Sequence, residues 1–182
     1  MLSALTAYLI IPLYTILFAA GSDWFDTNFS VIGNMVGRQA EFVLWGLIVG
    51  IYFFRCLRRI IRLMPVPFAG AWLVPFSLLL LTFALTTPYL PERLPLKAFL
   101  HVVFAFLSAV CLLLCLALII GKLYRHSRES YRSYLAGIIA IAAVSAALLL
   151  AAGIVSSALE IFFTLSTAVL SHRLQLRLAA RR

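Results

Sequence analysis

Apolar runs, each about as long as a bilayer crossing, follow one another along nearly the whole chain, separated by short polar or basic stretches. Only lipid or another such helix can solvate runs of this kind. Inside hydrocarbon every backbone N–H and C=O needs a partner within its own segment, so each run must be an α-helix. The runs read as helices at about 3–20, 40–56, 68–87, 97–121, 134–151 and 156–172. Six helices of roughly 20 residues each use most of 182 residues, so no separate soluble domain fits. The composition agrees: 64% of residues are hydrophobic and 12% charged, against about a quarter charged in soluble domains. The expected fold is all-α: one transmembrane domain over 1–182, a polytopic six-helix bundle.

Breakers mark the joints. Pro12 should kink the first helix, and Pro75 lies inside the third. Pro88, Pro91 and Pro95 stiffen a short loop, and a charged loop at 122–133 should link the fourth and fifth helices. The last apolar run is too long for one crossing. Gly153 followed by Ser156-Ser157 supplies a break and a helix cap within it. Residues 1–20 lack Lys or Arg ahead of their apolar run, and read as a retained span rather than a signal peptide.

Basic residues are sorted between alternate loops. Arg55, Arg58, Arg59 and Arg62 follow the second helix. Lys122, Arg125, Arg128 and Arg132 follow the fourth, and Arg173, Arg177, Arg181 and Arg182 form the tail. The other loops hold only Arg38, Arg93 and Lys97, with Asp23, Asp26, Glu41 and Glu92. The positive-inside rule then puts both termini in the cytoplasm, the protein lying in the cell (cytoplasmic) membrane. Six spans satisfy the rule and five do not. The net charge of +9 is thereby explained as contact with an anionic inner leaflet through residues such as Arg55, Arg58, Arg59, Arg62, Arg125 and Arg128. Nucleic-acid binding is not expected. Cys56, Cys111 and Cys115 are placed where no disulfide is expected.

Ionisable groups within hydrocarbon are costly, and His101 and Glu160 are the clear cases. Each lies about four residues into a helix running inward, hence about 6 Å below the outer surface. Equal depth allows a titratable His101–Glu160 pair if the fourth and sixth helices touch. Ser157, Glu160, Thr164, Thr167 and Ser171 recur at helical spacing on one face, as do His101, Ser108 and Cys115 on another. Such faces serve either helix packing or a polar pathway. Gly46 and Gly50 form a GxxxG step suited to close packing within the chain.

The outer loop after the first helix is dense in polar groups: Asp23, Asp26, Asn28, Ser30, Asn34 and Arg38. Asp23, Asp26 and Asn28 could ligate a hard cation, although not at the spacing of a full calcium loop. The same side chains could cap turns and a helix start. Asn28-Phe29-Ser30 is a formal glycosylation sequon, relevant only in a secretory-pathway host. Bis-histidine haem, zinc spacing, GxGxxG and Walker patterns are lacking, so no metal or cofactor is expected.

The string Asp26-Thr27-Asn28-Phe29-Ser30-Val31-Ile32-Gly33-Asn34 after a first helix resembles the bacterial DUF998-type membrane proteins, which carry a Ser-x-Leu/Ile-Gly element there. The resemblance covers about a dozen residues plus topology, and implies no activity. The alkaline ceramidase and progestin-receptor type needs a late His-x-x-x-His that this chain lacks. The leading expectation is a non-enzymatic protein that binds or passes a small ligand, lipid or ion at an outward-facing site of Asp23, Asp26, Asn28, Ser30, Asn34, Arg38, His101 and Glu160. The alternatives are a membrane-embedded enzyme acting on lipid, with His101 or Glu160 as acid or base, and an accessory subunit of a membrane complex.

Overall fold

A computed structural model describes residues 2–181. Among them the regular structure is entirely helical. In chain order the helices are α1 (Leu2–Ala19), the short α2 (Phe29–Asn34), α3 (Gln39–Leu63), α4 (Ala69–Thr86), α5 (Pro95–His126), α6 (Arg128–Ala152) and α7 (Ser157–Ala179). Five of these, α1, α3, α4, α5 and α6, are long and apolar enough to cross a membrane. α7 has the length, with 23 residues, but is more polar.

Proline chemistry shapes two helices. In α1 a π-turn over Thr6–Ile10 precedes Pro12, whose ring nitrogen cannot donate to the carbonyl of Tyr8 four residues back. α4 opens with a 3-10 turn over Ala69–Trp72, which leaves Pro75 in the first α-helical turn, where no N–H is required. Pro95 begins α5 for the same reason. Gly153 ends α6 in the left-handed conformation, φ +69°, and the Ser156 hydroxyl accepts from Leu159 N–H to start α7.

The helix ends run further than the sequence suggested. α3 continues through the whole basic stretch to Leu63, and the expected loop at 122–133 reduces to Ser127 between α5 and α6. Arg and Lys are good helix formers, and their stems lie along apolar surface while the charges reach outward.

Neighbouring helices close a ring: α3 packs on α4, α4 on α5, α5 on α6, α6 on α7, and α7 back on α3. α1 lies outside the ring against α3 and α7. Gly46 and Gly50 of α3 admit Leu85 and Leu81 of α4; a Cβ on Gly46 would meet Leu85 at 2.6 Å. Between α4 and α5, Ser77 and Ser108 each donate a hydroxyl to the other's carbonyl at 2.9 Å. The GxxxG step therefore serves packing within the chain, and Ser108, from the polar face of α5, is held by Ser77.

The helices alternate in direction, and the basic clusters gather at one end. There Ser3 meets His172, Lys122 donates to the Pro67 carbonyl, and Arg181 donates to Ser130. Arg182, counted with the tail, lies outside the described residues. This end is densely packed around Leu57, Ile60, Leu116, Ile119, Ile120, Leu123, Tyr131 and Leu174. The opposite end, beneath α2, is not. The buried residues of α6, namely Tyr131, Ile138 and Ile141, all precede its last eleven residues, which stand away from the core.

Candidate functional site

The loosened end of the ring holds a cavity of about 550 Å³. All five ring helices line it, and Asn28 and Ser30 of the α2 segment form its lid. Its walls are apolar: Trp45, Phe53, Leu81, Ala109, Leu113 and Phe163 are representative. Four lining residues, Val102, Phe106, Val110 and Ile154, are also between 39% and 45% exposed, so the cavity opens sideways between α5 and the end of α6. In a bilayer that side faces lipid. Asn28, Ser30, His101 and Glu160 cluster polar chemistry at the α2 end, and among the described residues no Lys or Arg lines the cavity.

Local sequence explains how the lid is held. Asn28 is extended, and its side-chain oxygen accepts from Val31 N–H at 2.9 Å, capping α2. Glu160 Oε2 accepts from Phe29 N–H at 2.7 Å, so a second donor of the same helix start is satisfied from α7. The start of α7 is satisfied in return: Ser157 N–H donates to Thr27 O at 2.7 Å, and Ala158 N–H to Trp24 O at 2.8 Å. The two helix starts thus complete each other.

His101 stands on α5, 2% exposed. Its Nδ1 is 2.8 Å from the Thr87 carbonyl oxygen, which can only accept, so Nδ1 carries the proton. The lone pair of the neutral ring is then at Nε2, which lies 2.6 Å from Ser30 Oγ. The Tyr89 and Phe42 rings hold the imidazole at centroid distances of 5.5 and 6.2 Å. Beyond this contact lies a smaller space of about 240 Å³, lined by Asn34, Gln39, Thr86 and Thr87 among others. Ser30 and His101 line both spaces, as do Phe42, Leu85 and Tyr89.

The anticipated His101–Glu160 pair is not formed. α5 and α7 are not neighbours in the ring, since α6 stands between them, and the first turn of α2 bonds to both residues. Glu160 bonds Phe29 and His101 bonds Ser30, so the two groups grip successive residues of that turn. Of the other expected site residues, Asn28 and Ser30 line the cavity and Asn34 lines the smaller space. Asp23, Asp26 and Arg38 line neither. Asp23 accepts from Phe25 and Asp26 N–H in a turn. Arg38 donates to the Phe18 carbonyl at 2.8 Å and to Glu41 at 3.0 Å, and so closes the end of α1. No cluster of three or more His, Cys, Asp or Glu among the described residues is placed to hold a metal ion.

On α7, Thr164 faces the cavity, whereas Thr167 donates back to its own helix at Phe163 O. The polar stripe is therefore divided between site and packing. Sequence reasoning missed the Thr87 carbonyl, which no side-chain pattern could signal, and Tyr89. The chain matches no protein-family model, no curated protein and no solved structure.

Proposed function

We propose that this protein binds one amphiphilic lipid, its acyl part in the ring cavity and its polar head at Asn28, Ser30, His101 and Glu160. The observation that carries this reading is the cavity itself: apolar walls, one polar end and a lateral opening. About 550 Å³ falls within the usual range for a site taking one small ligand, roughly 300–1,000 Å³. A carboxyl group with no basic residue beside it suits a headgroup of hydroxyls or an amine better than a phosphate.

The same reading has α7 as a sixth span. It lies alongside α3 and α6 and runs from the α2 end to the basic end. Its polar residues Ser157, Thr164, Thr167, Ser171, His172 and Gln175 are buried against protein, so it need not be apolar all round. In this reading six crossings put both termini on one side, and the positive-inside rule favours the cytoplasm as that side. Arg55, Arg58, Arg59, Arg62, Arg125 and Arg128, all exposed at the basic end, then face anionic headgroups.

Quenching of Trp45, which lines the cavity, tests the lipid site. With Trp24 and Trp72 replaced by Phe, brominated acyl chains should quench Trp45, and a cavity-filling Ala109→Phe change should reduce that quenching at least tenfold. Equal quenching in the folded Ala109→Phe protein overturns the reading. Cysteine labelling at positions 36 and 125 from opposite sides of the membrane tests the topology.

A further inference from the structure

We propose that Ser30 and His101 form a nucleophile–base dyad that hydrolyses an ester-linked, uncharged amphiphile held in the ring cavity. The proposal rests on reading that cavity as a lipid site, and adds a reaction to it.

A nucleophilic serine needs a base within hydrogen-bond reach and a third group that orients the base. All three are present. Nε2 stands 2.6 Å from Ser30 Oγ, and the Thr87 carbonyl holds Nδ1–H at 2.8 Å. This fixes the tautomer in which the Ser30 hydroxyl donates to an imidazole lone pair, the ground state of general-base catalysis. Ser30 is itself fixed, because the Asn28 and Glu160 bonds pin the first turn of α2.

A simple structural tie would not require either atom to be reachable. Here both residues are among those that line the lipid-sized cavity and the smaller space alike. In the proposed reaction the substrate occupies the larger space and water the smaller one. The bundle's other serine–histidine contact differs on each point. Ser3 and His172 are 3.2 Å apart, line neither space, and leave His172 Nε2 without a partner.

The reaction balances with water as co-reactant. Ser30 Oγ attacks the ester carbonyl carbon and its proton passes to His101 Nε2. The carbonyl oxygen takes up the negative charge. Asn28 uses its side-chain oxygen for capping, which leaves its amide N–H2 to donate to that oxygen. The bond from carbonyl carbon to alkoxy oxygen then breaks, and the leaving alcohol takes the proton from His101. Water from the smaller space attacks the acyl-serine carbonyl carbon, giving its proton to His101; the bond from that carbon to Oγ then breaks, His101 returns the proton to Ser30 Oγ, and a fatty acid leaves. A neutral carbonyl orients the base but stabilises an imidazolium less than a carboxylate does. Turnover is therefore slow, and the covalent adduct is the better readout.

The full chain in lipid nanodiscs is treated with a long-chain alkyl fluorophosphonate, and the adduct is mapped by peptide mass spectrometry. The expected adduct is on Ser30, absent in Ser30→Ala and formed about 100-fold more slowly in His101→Gln, the scale of one general base. A wild-type protein without an adduct on Ser30 overturns the proposal, as does an equal rate in a folded His101→Gln variant. If that variant does not fold, the wild-type map decides: Ser30 alone supports the dyad, whereas adducts spread over Ser22, Thr27 and Ser30 overturn it. Loss of labelling with Trp45 quenching intact removes the reaction and leaves the lipid site. Loss of both removes the lipid site as well.

Discussion

Glu160 should govern how firmly the lid of the cavity is closed. Its Oε2 takes the Phe29 N–H at 2.7 Å, across 131 residues of chain. Replacing it with Leu leaves that buried donor unsatisfied, at a cost of about 1–3 kcal/mol. Replacing it with Gln keeps an oxygen acceptor for that donor and should cost less, about 1 kcal/mol at most. Phe29 is fully buried and packs edge-on against Phe18 and Trp45, at 5.2 and 4.8 Å, so opening the first turn of α2 exposes the cavity. The amides of residues 27–34 should report that opening by hydrogen–deuterium exchange in nanodiscs. A loss of 2 kcal/mol corresponds to roughly 30-fold faster exchange in Glu160→Leu, and 1 kcal/mol to at most about fivefold in Glu160→Gln, since 1.4 kcal/mol is a factor of ten. The amides of α5 should not change. If both variants exchange within twofold of the wild type, Glu160 does not hold α2.

Three further outcomes follow from the packing. Gly33→Ala should destabilise the bundle by about 1–3 kcal/mol, because its Cβ would meet the Cβ of Phe42, which is tied to the α3 backbone, at 2.6 Å, while Gly121→Ala, with open space around it, should gain about 0.5–1 kcal/mol; equilibrium unfolding in mixed micelles compares them. A double-mutant cycle of Ser77→Ala and Ser108→Ala should return a coupling of about 0.6–1.7 kcal/mol, and a value near zero would show the reciprocal bonds to be energetically silent. Thr15→Val should cost more than Thr15→Ser in the same unfolding assay, by about 1 kcal/mol, since only the serine keeps the 3.0 Å acceptor for Trp45 Nε1–H; equal losses would assign Thr15 to packing alone.

Much of the architecture was legible because hydrocarbon is a strict solvent. The apolar runs, the break at Gly153, the internal role of Gly46 and Gly50 and the capping use of Asn28 all follow from rules local to a few residues. Helix ends were less legible, because Arg55 to Arg62 read as loop by charge and helix by propensity, and propensity won. Half of the expected site residues line the cavity: Asn28, Ser30, His101 and Glu160. Their partners could not be read. Ser30 and His101 are 71 residues apart, and the group orienting His101 is a main-chain carbonyl that any residue at position 87 would supply. Helical spacing placed His101 and Glu160 at one depth, but carries no information about which helices are neighbours in a ring. The short α2 turn between them was hidden in a segment dominated by polar residues.

The length of α5 carries a mechanical consequence. Its 32 residues make a rod of about 48 Å. Transmembrane helices seldom lean more than about 40°, and at that angle the rod still covers roughly 37 Å along the membrane normal, more than the 30 Å of hydrocarbon. No tilt can hide it. Its final turns, with Lys122 and Arg125, must stand among the headgroups as a stiff post, and the single residue Ser127 joins that post to the equally rigid start of α6. The guanidinium groups there are held at a set height rather than on a slack tether, so the bundle should register bilayer thickness and settle where membrane and rod agree.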